Sequence, residues 1–184
     1  MLKRDFKVRK RRVIYSGRVV HLERLVLESY DKKIVTRELI RHGGAAVMVP
    51  VLPGEKFVLV YQHRIATDGW LLEFPAGTLE PKEKPRVCAA RELIEETGYR
   101  AKRLVKLADF LPAPGISTER MHLFLATQLV PAKCNLDHDE FLEVRIVSYS
   151  DLARLIRDGK IKDGKTIIGF YYYQEYRKNH RLDL

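Results

Sequence analysis

The chain has 184 residues, with 34 Lys and Arg against 24 Asp and Glu, and a formal net charge of +10. With 46% hydrophobic residues, and with 11 Gly and 8 Pro spread along its length, it is neither disordered nor collagen-like. The length predicts one domain with an appendage. No apolar run approaches the roughly 18 to 20 residues that a membrane-spanning helix requires, so no membrane partner is expected.

The first twelve residues are strongly basic, and we interpret them as a frayed, solubilising terminus rather than a nucleic-acid arm. Nucleic acid is therefore not an expected partner. No apolar segment follows this basic stretch, which argues against a secretory signal.

The two cysteines, Cys88 and Cys134, lack a CxxC spacing, which suits reduced thiols in a cytoplasmic protein better than a disulfide or a structural zinc site.

The segment from Val13 to Ile40 contains short strand-like runs separated by Ser16-Gly17 and Asp31. This pattern is typical of antiparallel hairpins. We therefore predict a small antiparallel β-strand subdomain at residues 1–42 and a larger domain at residues 43–184.

The larger domain begins with two apolar runs joined by Pro53-Gly54, which predict a hairpin that starts the main sheet. The strongest helical pattern covers Pro85–Thr97 and ends at Gly98, a residue that suits the left-handed position after a helix. Three more strand-like runs follow, RLVKLADFL, MHLFLATQLV and LEVRIVSY.

Two helices are expected near the C-terminus. The first lies around Asp151–Arg157 and has Ser150 or Asp151 as its cap, and the second covers about residues 165–178. The expected fold class is α+β, with helices packed on a sheet and the small antiparallel N-terminal strand subdomain attached.

The helix at Pro85–Thr97 carries three carboxylates on one arc. At about 100° per residue, Glu96 lies about 40° to one side of Glu92 and Glu95 about 60° to the other. We expect the opposite, apolar side to consist of Leu93, Ala90, Ile94 and Val87.

The three carboxylates repel one another, and no lysine four residues away on the arc offsets them. Converging carboxylates suit Mg²⁺ or Mn²⁺, hard cations that prefer oxygen ligands and bridge to phosphates. A solvated acidic face is the alternative, because most charged helix faces are merely wet.

The surrounding spacing favours the metal site. Gly77, five residues, Glu83, seven residues, Arg91-Glu92-Leu93, one residue, Glu95-Glu96, one residue and Gly98 resemble the Nudix box at every fixed position. Tyr99 follows where an aliphatic residue is commoner. Because eight specified residues must fall at set spacings, the resemblance is specific.

The resemblance implies a Nudix-type mixed sheet sandwiched by helices. It also implies a Nudix hydrolase, which cleaves a nucleoside diphosphate linked to another moiety by attack of water on phosphorus. It also implies Mg²⁺ as cofactor, with Mn²⁺ as the substitute. By the family pattern, the metal ligands are Glu92, Glu95, Glu96 and the carbonyl of Ala76, and Glu92 and Glu95 also count as catalytic. Glu83 and Arg91 look like the internal ion pair of the box.

Outside the box, the chain from about Val13 to Tyr172 also resembles the ADP-ribose pyrophosphatase branch of the family. The resemblance rests on HGGAAVMVP, on Tyr61-Gln62-His63-Arg64, on LLEFPAG and on PAPGISTERMHLFLA. Pro114, fifteen residues after Tyr99, is the specificity sign of that branch. A proline in a loop is also an ordinary turn residue.

The branch resemblance implies further substrate-binding residues, each with an ordinary structural alternative. Arg64 looks like a contact to the terminal ribose or a phosphate, but it can also simply pair with Asp68. Glu73 looks like an acidic residue near the metals, but it can also cap a strand end. The loop at Pro114 and Gly115, followed by Glu119, looks like a substrate contact, and Glu119 is equally well read as a surface turn residue.

Water activation requires a base, which in this branch comes from a mobile acidic loop. Glu140 is our candidate for this base, with Asp139 and Glu143 in reserve. Adenine needs a stacking surface, for which four aromatic residues are available, Trp70, Tyr61, Phe110 and Tyr15. The sequence does not choose among them.

The predicted function is hydrolysis of ADP-ribose to AMP and ribose 5-phosphate, or of a related nucleotide sugar. Two alternatives are a Nudix hydrolase that acts on RNA 5′ ends or dinucleoside polyphosphates, and a nucleotide-sensing module without catalysis. The expected partner is a small nucleotide. The branch resemblance also implies a homodimer that forms through the N-terminal strands.

Overall fold

The computed structural model describes residues 5–133 and 142–180, which form two compact units. The first unit contains the chain up to Gly44 together with Leu111–Arg120, and the second contains Ala45–Phe110 and the chain from Met121 onward. Within the described residues, no helix combines the length and apolarity needed to cross a membrane.

The first unit is built on a three-stranded antiparallel sheet. Its strands are β1 (Lys7–Ser16), β2 (His21–Glu28) and β3 (Ile34–Arg41), in that order. The hairpins predicted from the sequence are therefore present.

The expectation of a frayed basic terminus is wrong from residue 7 onward, because that segment pairs with β2 from Lys7 opposite Glu28 to Ser16 opposite His21. Complementary charge supports the pairing, since Arg9 donates to Glu28 of β2 and Arg11 lies 3.6 Å from Glu23 of the same strand.

The segment Leu111–Arg120 joins the first unit through backbone hydrogen bonds to the end of β3. The Ile40 N–H donates to the Ile116 carbonyl at 2.8 Å, and the Thr118 N–H donates to the Ile40 carbonyl at 3.0 Å. The sequence placed this segment in the larger domain because nothing local indicates a partner 70 or more residues away. The division at residue 42 stays a prediction.

The second unit contains a seven-stranded mixed sheet, as the sequence predicted. Its order is β10-β5-β4-β9-β8, with β6 beside β5 and β7 beside β4. The strands are β4 (Ala45–Leu52), β5 (Lys56–Arg64), β6 (Gly69–Glu73), β7 (Ala76–Thr78), β8 (Tyr99–Phe110), β9 (Met121–Pro131) and β10 (Leu142–Ser148). The pair β4 and β9 is parallel and the other pairs are antiparallel.

The sheet opens between β4 and β5, and this opening positions the candidate site. The two strands pair only near their hairpin, at Val51 with Phe57 and at Leu52 with Lys56. Beyond that point β6 pairs with β5 and β7 pairs with β4. The connection from Glu73 to Ala76 therefore crosses the opening. The sequence analysis missed β6 and β7 because both are short.

Three helices pack on this sheet, α1 (Pro85–Thr97), α2 (Tyr149–Arg157) and α3 (Gly164–Asn179). The predicted bounds of α1 are confirmed. Gly98 has φ 68° and donates its N–H to the Ile94 carbonyl at 2.9 Å. The predicted cap of α2 is wrong, because the Oγ of Ser148 accepts from the Asp151 N–H at 3.1 Å and the helix begins two residues early.

Alternate residues of β4 enter two different cores, as the period of a strand requires. Val47, Val49 and Val51 face the layer of α2 and α3, which contributes Leu152 and Phe170. Ala46 and Met48 face α1 and pack with Ala89 and Leu93. Helices therefore cover both faces of the sheet, and the predicted sandwich is confirmed.

The N-terminus of α3 is tied to the end of β6 by a buried hydroxyl. The Phe74 N–H donates to the Oγ1 of Thr166 at 2.7 Å, and this hydroxyl donates to Asp163 at 2.5 Å. Thr166 has no exposed surface. Asp163 also caps the helix by accepting from the Thr166 N–H at 3.0 Å.

We predict that Thr166→Val lowers the free energy of unfolding by about 1 to 3 kcal/mol, because it leaves the buried Phe74 N–H without an acceptor. Urea denaturation measures this change. The control Thr67→Val removes an exposed hydroxyl and should change stability by less than about 0.5 kcal/mol. Equal effects of the two substitutions would contradict the assignment of the buried bond.

Candidate active site

Glu92 of α1 lies directly against the backbone of β7. A Cβ added to Gly77 would stand 1.8 Å from the Cδ of Glu92 and 2.0 Å from its Oε1. Any larger residue would displace the Glu92 side chain, because the carboxylate fills the space that a Cβ would occupy. This close approach explains why the box begins with glycine.

Glu96, one turn further along α1, reaches the first residue of β7. The Ala76 N–H donates to its Oε2 at 3.0 Å, and Glu96 is only 3% exposed. Glu92 and Glu96 therefore lie side by side along β7, beside the backbone of Ala76 and Gly77. Glu95 is more accessible, with 35% of its side chain exposed.

The buried side of α1 differs from the one that the helical projection predicted. It consists of Cys88, Ala89, Leu93, Glu96 and Thr97. Val87, expected inside, is 54% exposed, and Ala90 is exposed as well. The small side chains of Cys88 and Ala89 let the helix approach β4 and β7 closely, so the acidic side faces the sheet. The alternative of a merely wet acidic face does not describe Glu92 or Glu96.

Arg91 offsets part of the acidic arc, a role that the sequence analysis did not assign to it because it looked only for a lysine four residues away. Its Nη1 donates to Glu92 at 2.7 Å and to Glu95 at 2.9 Å. Its Nε and Nη2 donate to the two oxygens of Glu83 at 3.1 and 3.0 Å, so the expected pair is present. The sequence argument considered only lysines at helical spacing, whereas arginine presents donors on two edges.

These contacts shift the pKa values in opposite directions. The hydrogen bonds to Glu83, strengthened by Glu92 and Glu95, raise the pKa of Arg91 well above its ordinary value. The hydrogen bonds from Arg91 lower the pKa of Glu83. Both groups are therefore charged across the neutral range, and Arg91 holds the acidic residues of the box together.

Cys88 lies between the helix and β7 but does not act as a thiolate. Burial, together with the charges of Glu83 and Glu92, raises the pKa of the Cys88 thiol to about 12. The protonated thiol lies 3.5 Å from the Gly77 carbonyl and 3.6 Å from the Thr78 carbonyl, as a weak donor. This cysteine therefore helps to hold β7 against α1.

The donors along β7 fit a hard divalent cation by their chemistry. Three carboxylates from α1 and the nearby carbonyl of Ala76 are oxygen ligands of the kind that Mg²⁺ prefers. Among residues 5–133 and 142–180, no three acidic, histidine or cysteine side chains form a ready-made metal site. Glu92 and Glu95 are instead bonded to Arg91, so coordination requires their side-chain torsions to change.

A second charged cluster lies where β5, β6 and α3 meet. The Nε and Nη2 of Arg64 donate to the two oxygens of Glu73 at 3.0 and 2.7 Å. Lys165 also donates to Glu73, and it bonds Asp163 at 3.1 Å. Arg64 thus pairs with Glu73 rather than with Asp68, the alternative that the sequence left open.

This charged cluster is electrostatically linked to the box. Hydrogen bonding to Glu73 raises the pKa of Arg64, and the charges of Glu96 and Asp163 act in the same direction. Burial opposes ionisation of Glu73, but the hydrogen bonds and charges of Arg64 and Lys165 outweigh it and lower the Glu73 pKa. Glu73 is therefore a charged residue, and it lies at the end of β6 where β4 and β5 begin to separate.

The sequence analysis missed Lys165 and Asp163 as members of this cluster. The position of Lys165 could have revealed it. A lysine in the first turn of a helix opposes the helix dipole, so such a lysine indicates a specific anionic partner. A further missed residue is Gln62, which is 9% exposed and lies two residues before Arg64 on the same strand face. Its Oε1 has no hydrogen-bond partner within the described chain.

The remaining predicted substrate residues belong to the first unit. Pro114 and Gly115 are exposed. The Glu119 N–H donates to the Ser117 Oγ at 3.1 Å, and its carboxylate lies 3.8 Å from the His42 Nδ1. These residues form a turn consistent with either of the two readings of Glu119.

Of the candidates for the base, Glu140 and Asp139 lie outside the described residues. Glu143 lies on β10, where it is exposed and pairs with Arg145.

The aromatic candidates for adenine stacking occupy different places. Tyr61 and Trp70 stack on each other with ring centroids 5.2 Å apart. Both lie on the strand face opposite Arg64, because successive residues of a strand alternate. Phe110 packs against the larger apolar core, and Tyr15 belongs to β1 of the first unit.

The molecule thus combines a mixed sheet between two helix layers with an acidic helix, α1, that packs on the short strand containing Gly77. The NUDIX domain profile matches residues 42–168 of the chain. The chain therefore belongs to the Nudix family.

Similar proteins cover nearly the whole chain. The ADP-ribose pyrophosphatase of Bacillus subtilis is 39% identical over 163 residues, covering 88% of each chain. The methanol dehydrogenase activator of Bacillus methanolicus is 36% identical, covering 91% of this chain and 92% of that protein. The GDP-mannose pyrophosphatase of Cronobacter sakazakii is 34% identical, covering 79% and 85%.

A solved structure described as an ADP compounds hydrolase superposes with a TM-score of 0.86. It covers 95% of each chain at 22% sequence identity. This likeness supports the fold.

We predict that Gly77→Ala lowers the free energy of unfolding by about 1 to 3 kcal/mol, because the new methyl group overlaps the Glu92 side chain and displaces its carboxylate from β7 and from Arg91. Urea denaturation measures the change. The matched control is Gly164→Ala, whose new Cβ meets no heavy atom within 4 Å. If the two variants are equally stable, the packing of β7 on Glu92 is not as tight as described.

Proposed function

We propose that the protein hydrolyses the diphosphate bond of ADP-ribose, or of a closely related nucleotide sugar. Water adds to one phosphorus and the bridging oxygen leaves with the other, so that ADP-ribose and water give AMP and ribose 5-phosphate. The observation that carries this proposal is the alignment of Glu92 and Glu96 along β7, with the Arg64–Glu73 pair in electrostatic reach. The names of the pyrophosphatase relatives support the same substrate class.

The cofactor in this proposal is Mg²⁺, with Mn²⁺ as a substitute. Glu92, Glu95, Glu96 and the Ala76 carbonyl would hold it. When bound, a divalent cation neutralises the diphosphate and polarises its phosphoryl oxygens, which carboxylates alone cannot do for an anionic substrate.

The chain's own residues supply orientation and charge. Arg91 holds the carboxylates of Glu92 and Glu95 close together. Its bonds to Glu83 would keep its side chain in place if those two carboxylates turned to a divalent cation. Arg64 is 39% exposed, so its guanidinium can contact a phosphate or the terminal ribose while it remains bonded to Glu73. Pro114, Gly115 and Glu119 are proposed as further substrate contacts.

A base must accept the proton of the attacking water. Glu140 is our proposal for this role, by its place in the acidic segment before β10, with Asp139 and Glu143 in reserve. Glu92 and Glu95 orient the reacting groups in the same proposal.

We also propose a homodimer that forms through the N-terminal strands. All ten residues of β1 are exposed, although Val8, Val13, Ile14 and Tyr15 are apolar. An exposed edge strand with several apolar side chains is an association surface that proteins usually cover.

The cytoplasmic location stays a prediction from the sequence.

We predict that the purified protein with Mg²⁺ converts ADP-ribose to AMP and ribose 5-phosphate, and that EDTA stops the reaction. The measurement is chromatographic product analysis over a panel containing ADP-ribose, GDP-mannose, a dinucleoside polyphosphate and a 5′-triphosphorylated RNA. Preferential turnover of the RNA or the polyphosphate would overturn the proposal. Binding of ADP-ribose without turnover of any compound would favour the nucleotide-sensing alternative.

We predict that Glu96→Gln lowers kcat about 100-fold while leaving the fold intact, because the amide oxygen can still accept from Ala76 but carries no charge. Steady-state kinetics and thermal unfolding measure the two effects. The control Glu80→Gln changes an exposed glutamate outside the helix and should keep normal turnover. Normal turnover of Glu96→Gln would remove this carboxylate from the reaction.

A further inference from the structure

The buried ammonium of Lys165 connects α3 to the end of β6. Its side chain is 9% exposed and donates to Glu73, a carboxylate that is 2% exposed. Burying two charges is costly unless each is paired with good geometry. The chain retains this pair although Lys165 lies in the first turn of α3, where the helix dipole disfavours a cation. Helix stability therefore does not explain the lysine.

The Glu73 carboxylate is held by three donor groups from two directions. Arg64 supplies Nε and Nη2, and Lys165 supplies Nζ to the same Oε2 that Nη2 contacts. Two parallel bonds fix the plane of a guanidinium only if the carboxylate itself cannot rotate. The bond from Lys165 opposes rotation of the carboxylate about its terminal torsion.

Lys165 is itself anchored on its other side. Its Nζ bonds the Oδ1 of Asp163 at 3.1 Å, and the Oδ2 of Asp163 accepts from the backbone and hydroxyl of Thr166. The Thr166 hydroxyl in turn accepts from the Phe74 N–H. A continuous chain of hydrogen bonds thus runs from the helix cap to the residue after Glu73.

This arrangement leaves one edge of the Arg64 guanidinium directed away from Glu73. With Nε and Nη2 directed at Glu73, Nη1 occupies the opposite edge of the guanidinium. The Arg64 side chain is the most exposed of the four, at 39% against 2%, 9% and 16% for Glu73, Lys165 and Asp163. A preoriented arginine edge is well suited to a phosphate oxygen or a ribose hydroxyl.

We propose that Lys165 is a positioning residue that locks Glu73, so that Arg64 meets the diphosphate-bearing substrate with its guanidinium already oriented. This inference rests on the proposed function for the identity of the substrate. Lys165 acts through Glu73 and Arg64 and does not touch the substrate. Its loss weakens substrate binding more than the chemical step.

The kinetic test compares Lys165→Met with the wild-type chain, using ADP-ribose and Mg²⁺. We expect KM to rise about tenfold while kcat changes less than about threefold, the signature of lost binding that is equal in ground and transition states. Lys162→Met is the matched control, because Lys162 is exposed in the loop just before α3. It should keep the wild-type KM.

A double-mutant cycle separates positioning from simple stabilisation. In an Arg64→Lys background no guanidinium remains to orient, and Glu73 keeps a neighbouring cation when Lys165 is also replaced. Adding Lys165→Met there should raise KM less than about twofold. A further tenfold rise in that background would show that Lys165 acts independently of Arg64 and would overturn the proposal.

A spectroscopic test does not depend on the substrate. The Nε–H resonance of Arg64, identified by its loss in Arg64→Lys, should be sharp in the wild-type chain and broadened or shifted in Lys165→Met at temperatures where both are folded. An unchanged resonance would overturn the proposal. If the wild-type chain hydrolyses none of the nucleotides offered, the proposed function fails, and this resonance still decides whether Lys165 orients Arg64.

Discussion

The contact between Gly77 and Glu92 is the constraint on which the rest of the site depends. A strand residue without a side chain lets a helical carboxylate lie against its backbone, and the next turn of the helix brings Glu96 to the Ala76 N–H. Two carboxylates are thereby held beside one short strand. β7 can pair with β4 only because β5 separates from β4 beyond the hairpin, so the topology of the sheet determines where the site lies.

Charge compensation within the chain stabilises this arrangement. Arg91 spans Glu83, Glu92 and Glu95, and Arg64 with Lys165 surrounds Glu73. Removing one partner from such a buried network leaves an unpaired charge, which costs far more than the intact network contributes. These ionic groups are therefore best understood as devices that determine geometry, and the apolar layers on either face of the sheet supply the stability.

The errors of sequence interpretation have specific physical causes. The helical projection of α1 placed Val87 on the apolar side with Leu93, because it assumed that apolar residues choose the buried side, but Val87 is 54% exposed. Packing was decided instead by the small volumes of Cys88 and Ala89. Basic residues of β1 form ion pairs with glutamates of β2, as Arg9 does with Glu28, and a count of positive charge contains no information about such partners on another strand.

The sequence by itself determined the Nudix box, the bounds of α1 with its end at Gly98, and the family, because each depends on local spacing or on a short-range backbone preference. The mixed sheet followed only from the resemblance to the family, since its parallel pair joins β4 to the distant β9. Only the tertiary structure decided that Glu92 and Glu96 face β7, that Arg91 compensates them, and that Lys165 meets Glu73. The last of these joins residues 92 positions apart, which no local pattern encodes. Such a contact depends on how α3 docks against β6, and docking follows from the packing of the whole core rather than from any single segment.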